Sequence, residues 1–222
     1  MKNNPRKQNI IEAARKLFYA EGYSNTSMEA IAGSCGIQKQ LITYYFGTKE
    51  ALGNAVSNQY NASMREKFDL AGEKLGISDP LITNSAFFLW QSRYYKEDEN
   101  ARRFFNEMLT TGEPTIGPLE DEFQRTMPEG SKLDSPRFYR FVTSYYGASW
   151  FMYHFCRGEI DIRPVEFERE YLFLLLSTLV PDEKQRNIIY QGARTFLDNL
   201  IITELPDFEI RVEVKPDRTL KK

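Results

Sequence analysis

A chain of 222 residues with 29 Lys or Arg against 31 Asp or Glu has room for one or two domains with a substantial core, and its net charge of −2 excludes a protein that coats nucleic acid by bulk attraction. Two cysteines exclude a disulfide scaffold, and a single histidine, His154, argues against a histidine-based metal site, so no metal and no cofactor are expected. The longest apolar run, 171–180, is broken by Ser177 and Thr178 and is too short to cross a bilayer. The first residues are polar with no apolar segment behind them, so no signal peptide, no membrane partner and a cytoplasmic location are expected.

In chain order, a polar start (1–7, read as a flexible arm) leads into an apolar stripe at Ile10, Ile11, Ala14, Leu17 and Phe18, the pattern of an amphipathic first helix ended by Gly22. Thr26-Ser27-Met28-Glu29 reads as a capping box opening a second, short helix whose inner face is Met28, Ile31 and Ala32. Gly36 makes a tight turn into a third short helix. Ile42, Tyr45 and Phe46 hold its inner face, which leaves Lys39, Gln40, Thr43 and Tyr44 together outside, each able to donate a hydrogen bond. Helices this short are unstable alone; crossed on one another they make a platform that presents one helix to a DNA groove. Residues 1–50 carry seven basic side chains against four acids, a net +3, while the remainder carries 22 against 27. A small basic head on an acidic body fits binding at one specific site.

The carrying residues Phe18, Gly22-Tyr23, Thr26-Ser27, Ile31-Ala32, Gly36-Ile37, Tyr44-Tyr45-Phe46, Lys49-Glu50 and Ala51-Leu52 make residues 6–52 resemble the DNA-binding domain of the tetracycline-repressor (TetR) family of bacterial transcription regulators. The resemblance covers about a fifth of the chain. It implies that Lys39, Gln40, Thr43 and Tyr44 face DNA, and that Thr26, Ser27, Tyr44, Tyr45 and Lys49 match positions that touch phosphates. Gln38, included in the DNA-binding set, stands where a small capping residue is usual. Leu41 and Thr43 also depart from the family pattern, which should alter the sequence read rather than the ability to bind.

Beyond Thr48, the cap of a long helix over 48–72, breakers divide the chain into helices over 80–96, 99–111, 119–127, 135–157, 164–180 and 182–203, so the class is all-α. Ser135-Pro136 supplies a cap and a first-turn proline. Three regions follow: a helix-turn-helix domain over 1–50, a larger helical effector-binding and dimerisation domain over 51–205, and an extended or disordered tail over 206–222. In the tail, Phe208, Ile210, Val212 and Val214 alternate with Glu209, Arg211 and Glu213, a strand signature without an evident partner.

The resemblance implies a homodimer on a palindromic double-stranded operator and a small-molecule effector. The body's aromatic load, within a total of 16 Phe, 13 Tyr and 2 Trp, suggests an apolar or aromatic one. Trp90, Tyr94, Phe105, Met108, Tyr146, Trp150 and Tyr153 are the candidate pocket lining, against the simpler role of filling core. For the dimer surface the candidates are the helix 138–157 and the stripe Ile188, Ile189, Phe196, Leu197 and Leu200. Ligand-responsive repression is the leading reading. The alternatives are a ligand-independent DNA binder of the same fold and an enzyme acting on an aromatic or lipid-like substrate. Against the enzyme stands the lack of a catalytic constellation.

Overall fold

The Asn4-Pro5 pair opens the first helix. In the computed structural model, which describes residues 4–111, 119, 120, 123 and 135–216, the Asn4 carboxamide oxygen accepts the amides of Arg6 and Lys7, and Pro5 occupies the first turn, where its missing amide is not needed. Arg6 and Lys7 therefore lie in the helix rather than in a flexible arm. The described elements are α1 (Pro5–Glu21), α2 (Met28–Cys35), α3 (Lys39–Phe46), α4 (Lys49–Leu75), α5 (Pro80–Glu97), α6 (Glu99–Thr111), α7 (Pro136–Cys156), α8 (Pro164–Leu176), α9 (Glu183–Asp198), β1 (Leu200–Leu205) and β2 (Glu209–Val214). The fold is helical, as expected, with one two-stranded hairpin added.

Two units share these elements. The first comprises the described residues within 1–64, 98–114 and 204–210, the second those within 65–97, 115–203 and 211–222. In the first unit, Ile10, Ala14 and Phe18 of α1, Ile31 and Ala32 of α2, Ile42 of α3, and Leu52, Val56 and Tyr60 of α4 are buried together with Phe104 of α6. The Phe18 ring stacks on Phe104 with centroids 5.6 Å apart and meets Tyr23 at 5.3 Å. Each such ring contributes about 1.5–3 kcal/mol through the water it sheds. Gly22 stands at φ 91°, and a Cβ there would lie 2.8 Å from Arg103 Nε. The Arg103 guanidinium uses this space to donate to the Tyr19 and Ala20 carbonyls, closing the carboxyl end of α1.

The second unit is built around α5, which is buried almost all round through Phe87, Leu89, Trp90, Tyr94 and Tyr95. Ile189, Ala193, Phe196 and Leu197 of α9 are buried in the same unit, with Phe196 6.3 Å from Phe68. Gly192 allows close approach, since a Cβ would meet Ile82 Cδ1 at 3.1 Å. Phe167 of α8 stacks between Phe155 of α7, at 3.7 Å, and Tyr171, at 5.4 Å. Arg93 forks onto the buried Glu168 carboxylate at 2.7 and 3.1 Å, and this bond raises the arginine's pKa further.

The last helix does not reach Thr203: it ends at Asp198, Asn199 donates its side-chain amide to the Thr195 carbonyl, and Leu200–Leu205 continues as β1. The β-branched run Ile201-Ile202-Thr203 prefers an extended backbone, which outweighs the helical spacing that precedes it. The tail strand is β2, and its partner is β1 of the same chain, with the Lys215 amide donating to the Asn199 carbonyl at 2.9 Å. The helix over 164–180 stops at Leu176, where the Ser177 hydroxyl donates to the Leu174 carbonyl. The expected break over 112–118 and all but residues 119, 120 and 123 of the expected helix over 119–127 lie outside the described residues; Phe123 itself is buried against Phe138 and Phe141. Among the described residues, no helix is long and apolar enough to cross a membrane.

Candidate nucleic-acid interface

The turn between α2 and α3 is set by Gly36, which adopts the left-handed conformation (φ 64°, ψ 33°) and donates its amide back into α2. Ile42 is fully buried, which fixes the rotation of α3 about its axis. Lys39, Gln40, Thr43 and Tyr44 are consequently all exposed on one side, with the Tyr44 ring 80% accessible. Tyr45 lies half-buried beside it, its ring 5.3 Å from Tyr44, and its hydroxyl accepts a bond from the Asn4 carboxamide at 3.2 Å. One residue thus caps α1 and holds α3.

Gln38 occupies the cap position of α3 but makes no side-chain capping bond. No side-chain oxygen therefore covers the start of α3, where the helix dipole and first-turn amides favour negative charge. Lys39 adds a cation there. In this structure its ammonium is 2.7 Å from the Glu29 carboxylate of α2, and that hydrogen bond holds the Glu29 carboxyl below its usual range. Both partners are exposed, so the pair is of little strength and open to exchange with a phosphate.

The phosphate-matched residues divide. Ser27 caps α2, its hydroxyl accepting the Ala30 amide at 3.0 Å while remaining exposed. The cap is Ser27 rather than Thr26, one residue later than the capping box predicts. Thr26 is 1% accessible and donates its hydroxyl to the Gly22 carbonyl at 2.7 Å, so its side chain braces the loop below the surface. Lys49, at the start of α4, lies over the Tyr23 ring at 4.4 Å with its ammonium 3.4 Å from the Ser24 carbonyl. Partial burial there lowers its pKa from the ordinary lysine value. Thr48 caps α4 as expected, accepting the Ala51 amide.

An open groove of about 570 Å³ runs beside this face, lined by Arg6 and Asn9 of α1 and by Gln38, Gln40, Leu41 and Tyr44. The sequence reading did not place Asn4, Asn9 or Glu29 here. The Asn4-Pro5 start signature was available for the first; only tertiary contact reveals the other two.

The seven candidate pocket residues are divided between the two units, five in the second and Phe105 and Met108 in the first. Trp90 and Tyr94 stack at 5.1 Å inside the second unit. Tyr146 is half-buried, while Trp150 is 44% accessible and meets Tyr153 edge-on at 5.3 Å. Phe105 and Met108 belong to the first unit, where Met108 Sδ would lie 2.8 Å from a Cβ at Gly53. A cavity in the second unit, lined by Asn84, Phe88, Tyr145, Leu172 and Leu176, has about 10 Å³ of room, the space of one water, and none of the seven lines it. Among the described residues, no group of His, Cys, Asp and Glu is placed to hold a metal ion; His154 Nδ1 pairs with Glu159 at 2.7 Å.

Residues 10–56 match the family described as bacterial regulatory proteins, tetR family. Among curated proteins, an HTH-type transcriptional regulator of Bacillus subtilis strain 168, YuxN, is 47% identical over 51 residues, covering 23% of this chain and 18% of that protein. The HTH-type transcriptional repressor NicS of Pseudomonas putida KT2440 is 32% identical over 91 residues, covering 40% of this chain and 41% of the repressor. The chain therefore spans less than half the length of the curated relatives it matches. Among solved structures, RolR in complex with its ligand resorcinol has the same fold, with a TM-score of 0.50 at 16% identity over 85% of this chain and 93% of RolR.

Proposed function

We propose that this chain, a relative of the tetR-family regulators through residues 10–56, is a ligand-responsive transcriptional repressor that binds a palindromic operator as a homodimer and is not an enzyme. The observation that carries the reading is the outer face of α3. Lys39, Gln40, Thr43 and Tyr44 stand exposed above a fully buried Ile42, beside an uncapped helix start, with Ser27 and Lys49 flanking. Side chains with donors at the reading helix address base edges, and the flanking groups address phosphates. Thr26 contributes through the loop it braces.

A single short helix offers limited contact, and a two-fold pair reads half-sites about 34 Å or a multiple apart. The face for self-association is α7, where Tyr139, Tyr146, Trp150 and Tyr153 follow helical spacing and Tyr139 and Trp150 remain exposed. The apolar stripe of α9 is largely consumed within its own unit, leaving Ile188 exposed. The effector is a small apolar or aromatic molecule bound among the rings of the second unit. With about 10 Å³ in the cavity beside Phe88, the effector-bound state is a different packing of that unit. Such a difference in affinity between two packings is what a ligand needs to shift an equilibrium. The same tight cavity favours a second reading, a ligand-independent DNA binder of this fold.

The test is selection of bound sequences from random duplexes, followed by mobility-shift titration with and without aromatic small molecules. Enrichment of an inverted repeat supports the dimeric reading. Failure to retain any duplex refutes DNA binding. A ligand that alters retention separates the first reading from the second.

A further inference from the structure

The turn of the carboxyl-terminal hairpin departs from the preferences of turn residues. β1 and β2 join through Pro206, Asp207 and Phe208, with the Glu209 amide donating to the Pro206 carbonyl at 3.3 Å. Asp207 and Phe208 lie at φ 62° and 58°, the only non-glycine residues at positive φ among those described. This is the backbone of a two-residue type I′ turn, which Asn-Gly fills at least steric cost. Aspartate tolerates it, whereas a phenylalanine there is strained and persists only where its surroundings over-determine it.

Those surroundings are specific. Phe208 is 2% accessible. Its ring stacks on Tyr60 of α4 at 4.7 Å and 14°, meets Tyr19 of α1 edge-on at 5.1 Å, and lies 5.0 Å from Phe104 of α6. The Arg15 guanidinium closes over the turn, donating to the Asp207 carbonyl and standing 3.0 Å from the Glu209 carboxylate. Three helices of the first unit each present one ring to a side chain that arrives from the far end of the sequence. Helix α1 in turn sets the reading helix, through Asn4 to the Tyr45 hydroxyl and through its packing on α2.

We propose that this turn is a positioning element of the DNA-reading head: Phe208, with Arg15 as its clasp, holds α1 against α4 and α6 and so fixes the platform beneath α3. The consequence for DNA rests on the function proposed above; the hold on α1 does not. Neither residue faces the nucleic acid, and both act through α1.

The full-length chain tests this with three variants. Asp207→Asn combined with Phe208→Gly supplies the preferred turn pair and removes the ring. Phe208→Leu keeps apolar bulk, and Asp207→Gly relieves backbone strain while keeping the ring. Hydrogen–deuterium exchange over 8–21 is read beside the Kd for a selected duplex. The double variant should exchange α1 amides at least about tenfold faster, with α5 and α9 unchanged, and bind duplex about tenfold more weakly. Both single variants should stay within about threefold of the parent on each measure. Unchanged α1 exchange in the double variant, or acceleration spread equally over α5 and α9, overturns the proposal. Faster exchange with an unchanged Kd overturns its functional half. If the parent retains no duplex at all, the DNA reading has failed and exchange alone decides the hold on α1.

Discussion

Replacing Lys49 by alanine separates the packing role that the structure shows for its ammonium group from the phosphate contact proposed for it. Over the Tyr23 ring at 4.4 Å and near the Ser24 carbonyl, the cation contributes about 0.5–1 kcal/mol to the head, a small loss in a melting curve. If the same group meets a phosphate, its removal deletes one released counterion, and the slope of log K against log salt becomes shallower by about 0.9. Between roughly 50 and 200 mM salt that slope corresponds to a factor of about 3.5, so the defect relative to the parent should shrink by that factor as salt rises. The assay is a fluorescence-anisotropy titration of a selected duplex at four salt concentrations. Lys16→Ala is the control, since Lys16 is exposed on α1 and pairs with Glu12 at 3.5 Å. Lys49→Arg should recover the slope. Parallel lines for Lys49→Ala and the parent would refute the phosphate contact, whatever happened to the affinity.

Tyr44→Ala should leave the melting temperature unchanged, because an 80% accessible ring has little packing to lose, yet weaken operator binding in a mobility shift. Equal affinity would remove Tyr44 from the reading face. Gly22→Ala should destabilise the fold by about 1–3 kcal/mol in urea, since the residue would be strained at φ 91° and would strike Arg103. A neutral result would mean that the loop after α1 adapts freely. The Tyr19 phenol is pushed up to about 12 by burial, and next by its bond to Asp98 at 2.7 Å. A raised folded pKa gives stability that is present below the ordinary value near 10 and is lost as pH climbs from there toward about 12. Alkaline unfolding should steepen over that window and flatten in Tyr19→Phe; identical pH profiles would show that the phenol is not linked to folding.

The parts of the head legible in the sequence are those set by local rules. Gly36 at a left-handed turn, Ile42 on an inner face and donors three and four residues apart follow from helical period and glycine's freedom, and the structure keeps them together. Misplacements arise where two local rules compete. Thr26 and Ser27 can each cap α2, and burial of Thr26 beneath the loop decides for Ser27. Leu200-Ile201-Ile202 extends a helical stripe and also suits a strand, and pairing with β2 decides for the strand. Glu29 meets Lys39 only once the turn at Gly36 folds α3 back on α2, and the arrival of Phe104 and Phe208 in the head core depends on contacts between segments distant in sequence, which no window of ten or fifteen residues contains. The aromatic candidates of the body range from buried (Trp90, Tyr94) through half-buried (Tyr146, Tyr153) to exposed (Trp150), since ring content alone does not say where a space will be left.

The unit that carries the proposed reading helix is assembled from three separated stretches of chain, within 1–64, 98–114 and 204–210. The simplest way to transfer its helix-turn-helix segment to another protein would be a cut after the first fifty or so residues. A graft made that way here would expose Phe18 and Tyr19 to water on the sides where Phe104 and Phe208 now lie. A transferable reader from this protein has to bring α6 and the hairpin loop with it, or be given replacement rings by its new host.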